Sequence, residues 1–169
     1  MDREKITLRP FKPEDQATIL EILTSNIVNQ TYMLPDFETP EDAIPLFNRL
    51  QSLSGDSGRF VRCIARDDQA VGFLNDVEIQ DGTIELGYVI HPRYHNCGFM
   101  TAALKTAIQE LFQMDFQEVI CGAFEENPAS IRVMEKAGMT LLDKIDTIEY
   151  RGAMHTCYYR HIKNGELSC

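Results

Sequence analysis

Two stretches of this chain carry residues whose types and spacing could do chemistry. The first is Tyr94-His95-Asn96-Cys97-Gly98-Phe99-Met100-Thr101, directly after the mostly apolar run Glu85–His91 and its stop at Pro92. A strand that ends in a short glycine-containing bend and then opens a helix presents consecutive main-chain N–H groups. Such groups can wrap a pyrophosphate. Gly98 would permit a positive φ or a close approach at that bend. The second stretch is Asn127-Pro128-Ala129-Ser130-Ile131-Arg132-Val133-Met134-Glu135-Lys136-Ala137-Gly138-Met139. Asn127 suits an N-cap, Pro128 the first helical position and Gly138 the residue just past the end. A sharply capped helix start is a second natural place for an anionic tail. Taken alone, the first stretch reads as an ordinary turn and the second as an ordinary capped helix.

Other chemistries are poorly supplied. His91 and His95 have i, i+4 spacing, but Pro92 between them argues against the helix that would turn both toward one metal. The cysteines, Cys63, Cys97, Cys121, Cys157 and Cys169, are odd in number and contain no Cys-x-x-Cys pair. Neither a disulfide framework nor a zinc site follows, and they read as reduced thiols, mostly buried. There is no Gly-x-x-x-x-Gly-Lys-Ser/Thr string for a nucleotide phosphate. The net charge of −10 disfavours nucleic acid and suits an amine or basic peptide.

The elements that must position these stretches follow from periodicity. Ile6–Pro10 alternates as a short strand, and Pro13-Glu14-Asp15 opens a helix with Ile19, Leu20 and Leu23 on one face. Asn26–Phe37 has no clear period and reads as a loop. Thr39-Pro40-Glu41-Asp42 starts a second helix in which Pro45 would remove a backbone bond and bend the axis. Three strands follow at Phe60–Arg66, Ala70–Ile79 and Thr83–Ile90, with turns at Asp67-Asp68 and Asp81-Gly82. From Gly98 a long helix presents Met100, Leu104, Ala107, Ile108 and Leu111 as a core stripe. A strand at Gln117–Ala123 leads to the Asn127 helix, and Met139–Thr147 with Ala153–Ile162 forms a last hairpin through Arg151-Gly152. The order predicts an α/β (α+β) layered domain.

At 169 residues, with 44% hydrophobic and 25% charged content, the chain fits one domain with a real core. We expect that domain to span residues 1–162, with a loose tail over 163–169. No apolar run approaches the roughly 18 residues needed to cross a bilayer, and the charged N-terminus is unlike a signal peptide. A cytoplasmic location is expected.

The two anion-binding stretches together resemble the GNAT superfamily of N-acetyltransferases, nearest to the branch that acetylates N-termini of ribosomal proteins. The resemblance covers nearly the whole chain, from Leu8-Arg9-Pro10-Phe11 and the Glu14-Asp15 pair onward. It is strongest from Glu85 to Met139. Asn127-x-x-Ser130-x-x-Val133-x-x-Lys136-x-Gly138-Met139 is similar to that branch's second cofactor motif. The first motif of the family is Gln/Arg-x-x-Gly-x-Gly/Ala, where this chain has His95, Gly98 and Met100, and Ala102 stands where many relatives carry Glu. These departures predict a weaker grip on the cofactor.

The resemblance implies a mixed, mostly antiparallel sheet flanked by helices, acetyl-CoA as donor without any metal, and a primary amine as acceptor (a protein N-terminus or a small amine) in direct transfer. It implies that Val89, Ile90, His95, Asn96, Cys97, Gly98, Phe99, Met100, Thr101, Asn127 and Ser130 bind the cofactor, with a Val89 or Ile90 N–H facing the thioester carbonyl. It makes Glu85 the base, directly or through water, with Glu125 and Glu126 in reserve. Ser130 becomes the donor to the leaving sulfur, and Tyr150, Tyr158 and Tyr159 are alternatives, because Met134 fills the place of a tyrosine found in relatives. Tyr32, Met33 and Phe37 are expected either to line the acceptor pocket or to fill the core. No nucleic acid or membrane partner is implied, and the chain would act as monomer or homodimer. The alternative left open is a catalytically silent acyl-CoA-binding or regulatory module on the same fold.

Overall fold

Pro10 has no N–H to give a ladder, so the first strand is short: β1 covers Ile6–Arg9. It pairs antiparallel with β2 (Val61–Arg66), and β2 pairs antiparallel with β3 (Gln69–Gln80). With β4 (Thr83–Ile90), β5 (Glu118–Phe124), β6 (Thr140–Tyr150) and β7 (Ala153–Lys163), they form one sheet in the order β1-β2-β3-β4-β5-β7-β6. β4 and β5 are parallel, and β7 lies antiparallel between β5 and β6. This is the mixed, mostly antiparallel sheet that the family resemblance implies, in the layered α+β domain that the element order predicts. The computed structural model describes residues 5–167, so the Cys169 thiol and the end of the expected tail lie outside the described residues. The chain divides into two compact units, Met1–Asn75 with Tyr88–Ala103, and Asp76–Gly87 with Leu104–Cys169.

In the first unit, α1 (Gln16–Leu23) follows a 3-10 turn at Pro13–Asp15, and α2 (Ile44–Ser54) follows a 3-10 turn at Pro40–Ala43. Thr39 caps that turn, its own N–H donating to Asp42 Oδ2 at 3.0 Å. The turn corrects the expectation for Pro45. The α-helix proper starts at Ile44, so Pro45 falls in its first turn, where no intrahelical N–H bond is lost. Ile19, Ile22 and Leu23 of α1 and Phe47 and Leu50 of α2 pack with Phe11, Phe73 and Val89 in one buried cluster. Phe11 meets Phe47 edge-on at 6.0 Å and Phe73 at 6.2 Å. Burying one such ring contributes about 2–3 kcal/mol. Of the loop residues at 26–37, Tyr32 and Phe37 pack against this cluster, while Met33 stays exposed.

Arg9 ties the first unit together from its edge. Its guanidinium grips Asp15 with Nη1 to Oδ2 at 2.8 Å and Nη2 to Oδ1 at 2.9 Å. Its Nε also reaches Asp68 Oδ1 at 2.9 Å, in the β2–β3 turn, and the Lys12 amide donates to Asp15 Oδ2 at 2.7 Å. The Leu8-Arg9-Pro10-Phe11 and Glu14-Asp15 motifs thus act structurally through Arg9 and Asp15.

In the second unit, Leu104, Ala107, Ile108 and Leu111 of α3 (Phe99–Gln113) are fully buried, as are Ile84 of β4 and Val119 and Cys121 of β5. α4 (Pro128–Lys136) ends in a Schellman pair. The Gly138 N–H donates to Glu135 at 3.0 Å and the Met139 N–H to Met134 at 3.0 Å. A separate cluster of Phe124, Cys157 and Tyr159, with Ile120, Ile148 and Tyr150 packed against it, covers the face of the sheet carrying alternate residues of β5 and β7. Beyond β7, the Asn164 N–H donates to Gln117 O at 2.8 Å and the Lys163 N–H to Glu166 Oε2 at 2.9 Å, so this part of the expected tail is tied to the unit.

Candidate active site

The bend between β4 and α3 is built from backbone signs. After β4 comes a 3-10 turn, Pro92–Tyr94, capped by His91. Asn96 then takes φ 61° and Gly98 φ 79°. A Cβ built at Gly98 would meet no atom within 4 Å, so glycine is needed there for the sign of φ and not for space. The amides of Tyr94 and His95 are spent inside the turn, on His91 O and Pro92 O, and the Ala102 amide bonds Gly98 O as the first helical bond. Between them, the main-chain N–H groups of Asn96, Cys97, Gly98, Phe99, Met100 and Thr101 have no acceptor among the described residues. Six successive free donors on a left-handed bend and a helix start make a main-chain nest of the kind that can take a polyanion. Phe99 and Met100 turn their side chains inward and are buried. Met100 therefore fills core volume.

The side chain of His95 does not extend as a free donor. Its Nε2 lies 3.3 Å from Ile90 O, folding the ring back on β4. His91 is also engaged elsewhere. Its Nε2 is 2.8 Å from Glu21 Oε2 and its Nδ1 accepts the Arg93 N–H at 3.1 Å. The two histidines thus have separate partners, and no group of three or more His, Cys, Asp or Glu able to hold a metal occurs among the described residues.

The end of β4 distinguishes the two candidate amides. The His91 N–H bonds Val71 O of β3 at 2.7 Å. Strand alternation puts the Val89 N–H on that same side and the Ile90 N–H on the opposite edge. The register of β4 on β5 runs from Thr83↔Glu118 to Leu86↔Cys121, covering only the first half of β4.

Glu85 sits within that register, opposite Ile120 and half-buried. Burial pushes its carboxyl up from the ordinary range, Lys144 pulls it back, and Glu78 and Asp146 push it further up. Ile120 opposes His161 of β7, so Glu85 shares a face with the alternate residues His155, Cys157, Tyr159 and His161. Tyr159 donates to Asp146 Oδ2 at 2.8 Å, with Lys144 Nζ 4.3 Å over its ring and 3.8 Å from Asp146. Burial and the bonds to Asp146 and Cys157 push the Tyr159 hydroxyl well above the usual phenol range. A phenol held that way is a poor acid. Tyr158 alternates to the other face, and the Tyr150 hydroxyl accepts Arg151 Nε at 3.0 Å.

At the start of α4, Asn127 Oδ1 accepts the Ser130 N–H at 3.2 Å, the cap that the sequence predicts. Just upstream lies an arrangement that sequence reasoning missed. His155 stacks on Phe124 (4.6 Å, 14°) and its Nδ1 lies 3.4 Å from Glu126 Oε2. The signal was the alternation of His155 with Cys157 and Tyr159, which becomes meaningful only once β7 is registered on β5.

Residues 5–140 match the family described as acetyltransferase (GNAT) domain. A curated Bacillus subtilis protein, the uncharacterized N-acetyltransferase YnaD, is 27% identical over 139 residues, which cover 80% of this chain and 79% of that protein. Among solved structures, a GNAT-family acetyltransferase from Bacillus anthracis superposes with TM-score 0.81 at 24% identity, covering 95% of each chain. Ribosomal-protein-S5-alanine acetyltransferase from Vibrio fischeri superposes with TM-score 0.78 at 17% identity, covering 100% of this chain and 98% of that one. At such identities the structures share the fold. The family match spans most of the chain, which therefore belongs to the GNAT family and is an acetyl-CoA-dependent N-acetyltransferase.

Proposed function

We propose that this chain moves an acetyl group from acetyl-CoA directly to the primary amine of a cationic acceptor, a peptide N-terminus first among them. The observation that carries the reading is the run of unpaired amides at Asn96–Thr101. When bound, acetyl-CoA supplies an activated thioester. The chain's own residues hold and steer the rest. The Asn96–Thr101 amides would take the diphosphate, which makes the departures at His95, Met100 and Ala102 tolerable, because a main-chain nest does not depend on side-chain identity. The Ile90 N–H, on the edge away from β3, is a better donor to a developing oxyanion than that of Val89. Asn127 and Ser130 would hold the pantetheine arm and the leaving sulfur.

Glu85, Asp146 and Glu126 give the second unit an anionic face that attracts an ammonium group. Glu85 is assigned the proton of that ammonium, directly or through water. Burial supports the assignment, since a raised carboxyl is a stronger base than an ordinary one. We take residues 1–162 as one working domain in the cytoplasm.

A thiol-release assay with acetyl-CoA against N-terminal peptides, polyamines and aminoglycosides tests the reading. Turnover on a peptide is expected. Coenzyme A binding without thiol release on any amine would favour the silent module. Glu85→Gln should lower turnover at neutral pH about 100-fold, and less at alkaline pH where the amine is already neutral. Unchanged neutral turnover would remove Glu85 from the chemistry.

A further inference from the structure

Acetylation of an ammonium releases two protons from nitrogen, and Glu85 accounts for one. We infer that His155, held by Glu126, takes the second and passes it to the leaving sulfur; this rests on the acetyl-transfer reading above. A carboxylate only accepts hydrogen bonds, so the 3.4 Å contact with Glu126 Oε2 places the hydrogen of a neutral ring on Nδ1. Nε2 is then a bare lone pair, and it has no partner among the described residues. A carboxylate that fixes a histidine tautomer and leaves the far nitrogen open is the arrangement of an oriented general base.

The ring cannot swing freely. Phe124 stacks on it at 4.6 Å, and Tyr150 lies 6.2 Å away at 55°. Its side chain keeps 17% of its surface exposed, so the ring is not sealed in the core. The groups that face it are Glu126 on the β5–α4 connection and Tyr150 of β6 with Arg151 at its hydroxyl. Ile148 is directly opposite, and Asp146 lies two positions further along β6. Glu126 immediately precedes Asn127, so the dyad is anchored to the segment assigned to the leaving sulfur. The tyrosines are poorer candidates: Tyr159 has its proton committed to Asp146, and Tyr158 faces away.

The steps balance. The ammonium gives its first proton to Glu85, and the freed lone pair forms the C–N bond to the acetyl carbon. The second proton goes from that nitrogen to Nε2 of His155. The C–S bond breaks with its electron pair on sulfur, and the imidazolium returns its proton there. The products are the amide, the free thiol and one proton released to water from Glu85.

The test uses the full chain. ¹⁵N NMR of the free protein should show His155 protonated at Nδ1 and bare at Nε2, with the preference lost in Glu126→Gln. His155→Asn keeps a donor for Glu126, and should lose about 100-fold in kcat while coenzyme A affinity by calorimetry stays within about twofold. In His155→Gly, added imidazole should restore turnover, which a merely structural role would not allow. A ring bare at Nδ1, a His155→Asn variant with wild-type kcat, or a folded, coenzyme A-binding His155→Gly variant that imidazole fails to rescue would each overturn the inference. Wild-type turnover with unaffected variants removes His155 alone; a wild type that releases no thiol removes the acetyl-transfer reading with it.

Discussion

Asp15 is 5% exposed yet carries a charge, and everything around it explains how. Burial alone would push its carboxyl up, but the bidentate Arg9 guanidinium and the Lys12 amide outweigh it and hold the carboxyl below the usual range. Removing one partner leaves the other charge stranded, a loss of roughly 2–4 kcal/mol. The pH dependence has a definite sign. A carboxyl lowered in the folded state contributes stability that is full above its unfolded pKa of about 3.9 and fades as pH falls through the folded value. Asp15→Asn should therefore melt well below wild type at pH 7, and the two should converge below about pH 4. Chemical denaturation at a series of pH values measures this, and a gap that stays constant down to acid pH would mean that packing, not charge, makes the difference.

Elements were the most legible scale. Hydrophobic period and turn chemistry are local, so Asp81-Gly82, Arg151-Gly152 and the Asn127 cap could be read directly from the chain. Pro45 was misread because a 3-10 turn before a helix leaves no separate signature in side-chain spacing. The left-handed bend after β4 was legible through Gly98, but the folding of His95 onto Ile90 O was not, since it depends on where the chain turns after Pro92. The His155–Glu126 pair needs the β5–β7 register, which no sequence pattern supplies. One element-scale contact bears directly on the bend. A Cβ at Gly72 of β3 would strike the carbonyl of Val89 and Cα of Ile90, both backbone atoms that cannot rotate away. Gly72→Ala should force the end of β4 outward, costing about 1–3 kcal/mol by overpacking. The amides that follow should shift with it, so the KM for acetyl-CoA should rise more than the KM for the amine. Equal changes in both constants would indicate general destabilisation.

At the scale of the whole molecule, a net charge of −10 acts on both substrates before either is bound. Acetyl-CoA is a polyanion and the proposed acceptor a cation, so the same field would repel one and draw in the other. The amide nest works only at contact distance, and a dipole falls off too quickly to offset ten charges further out. Salt separates the two ranges, because the screening length shrinks from about 30 Å at 10 mM to about 8 Å at 150 mM. Raising ionic strength across that interval should lower the KM for acetyl-CoA and raise the KM for a cationic peptide or polyamine. Shifts of roughly threefold in opposite directions suit a field that changes association rates by ten or more. Steady-state kinetics at fixed pH, with each substrate varied in turn, measures both slopes. If both constants moved in the same direction, the acceptor would not be recognised by charge, and the acidic face of Glu85, Asp146 and Glu126 would have to be explained by stability or solubility instead.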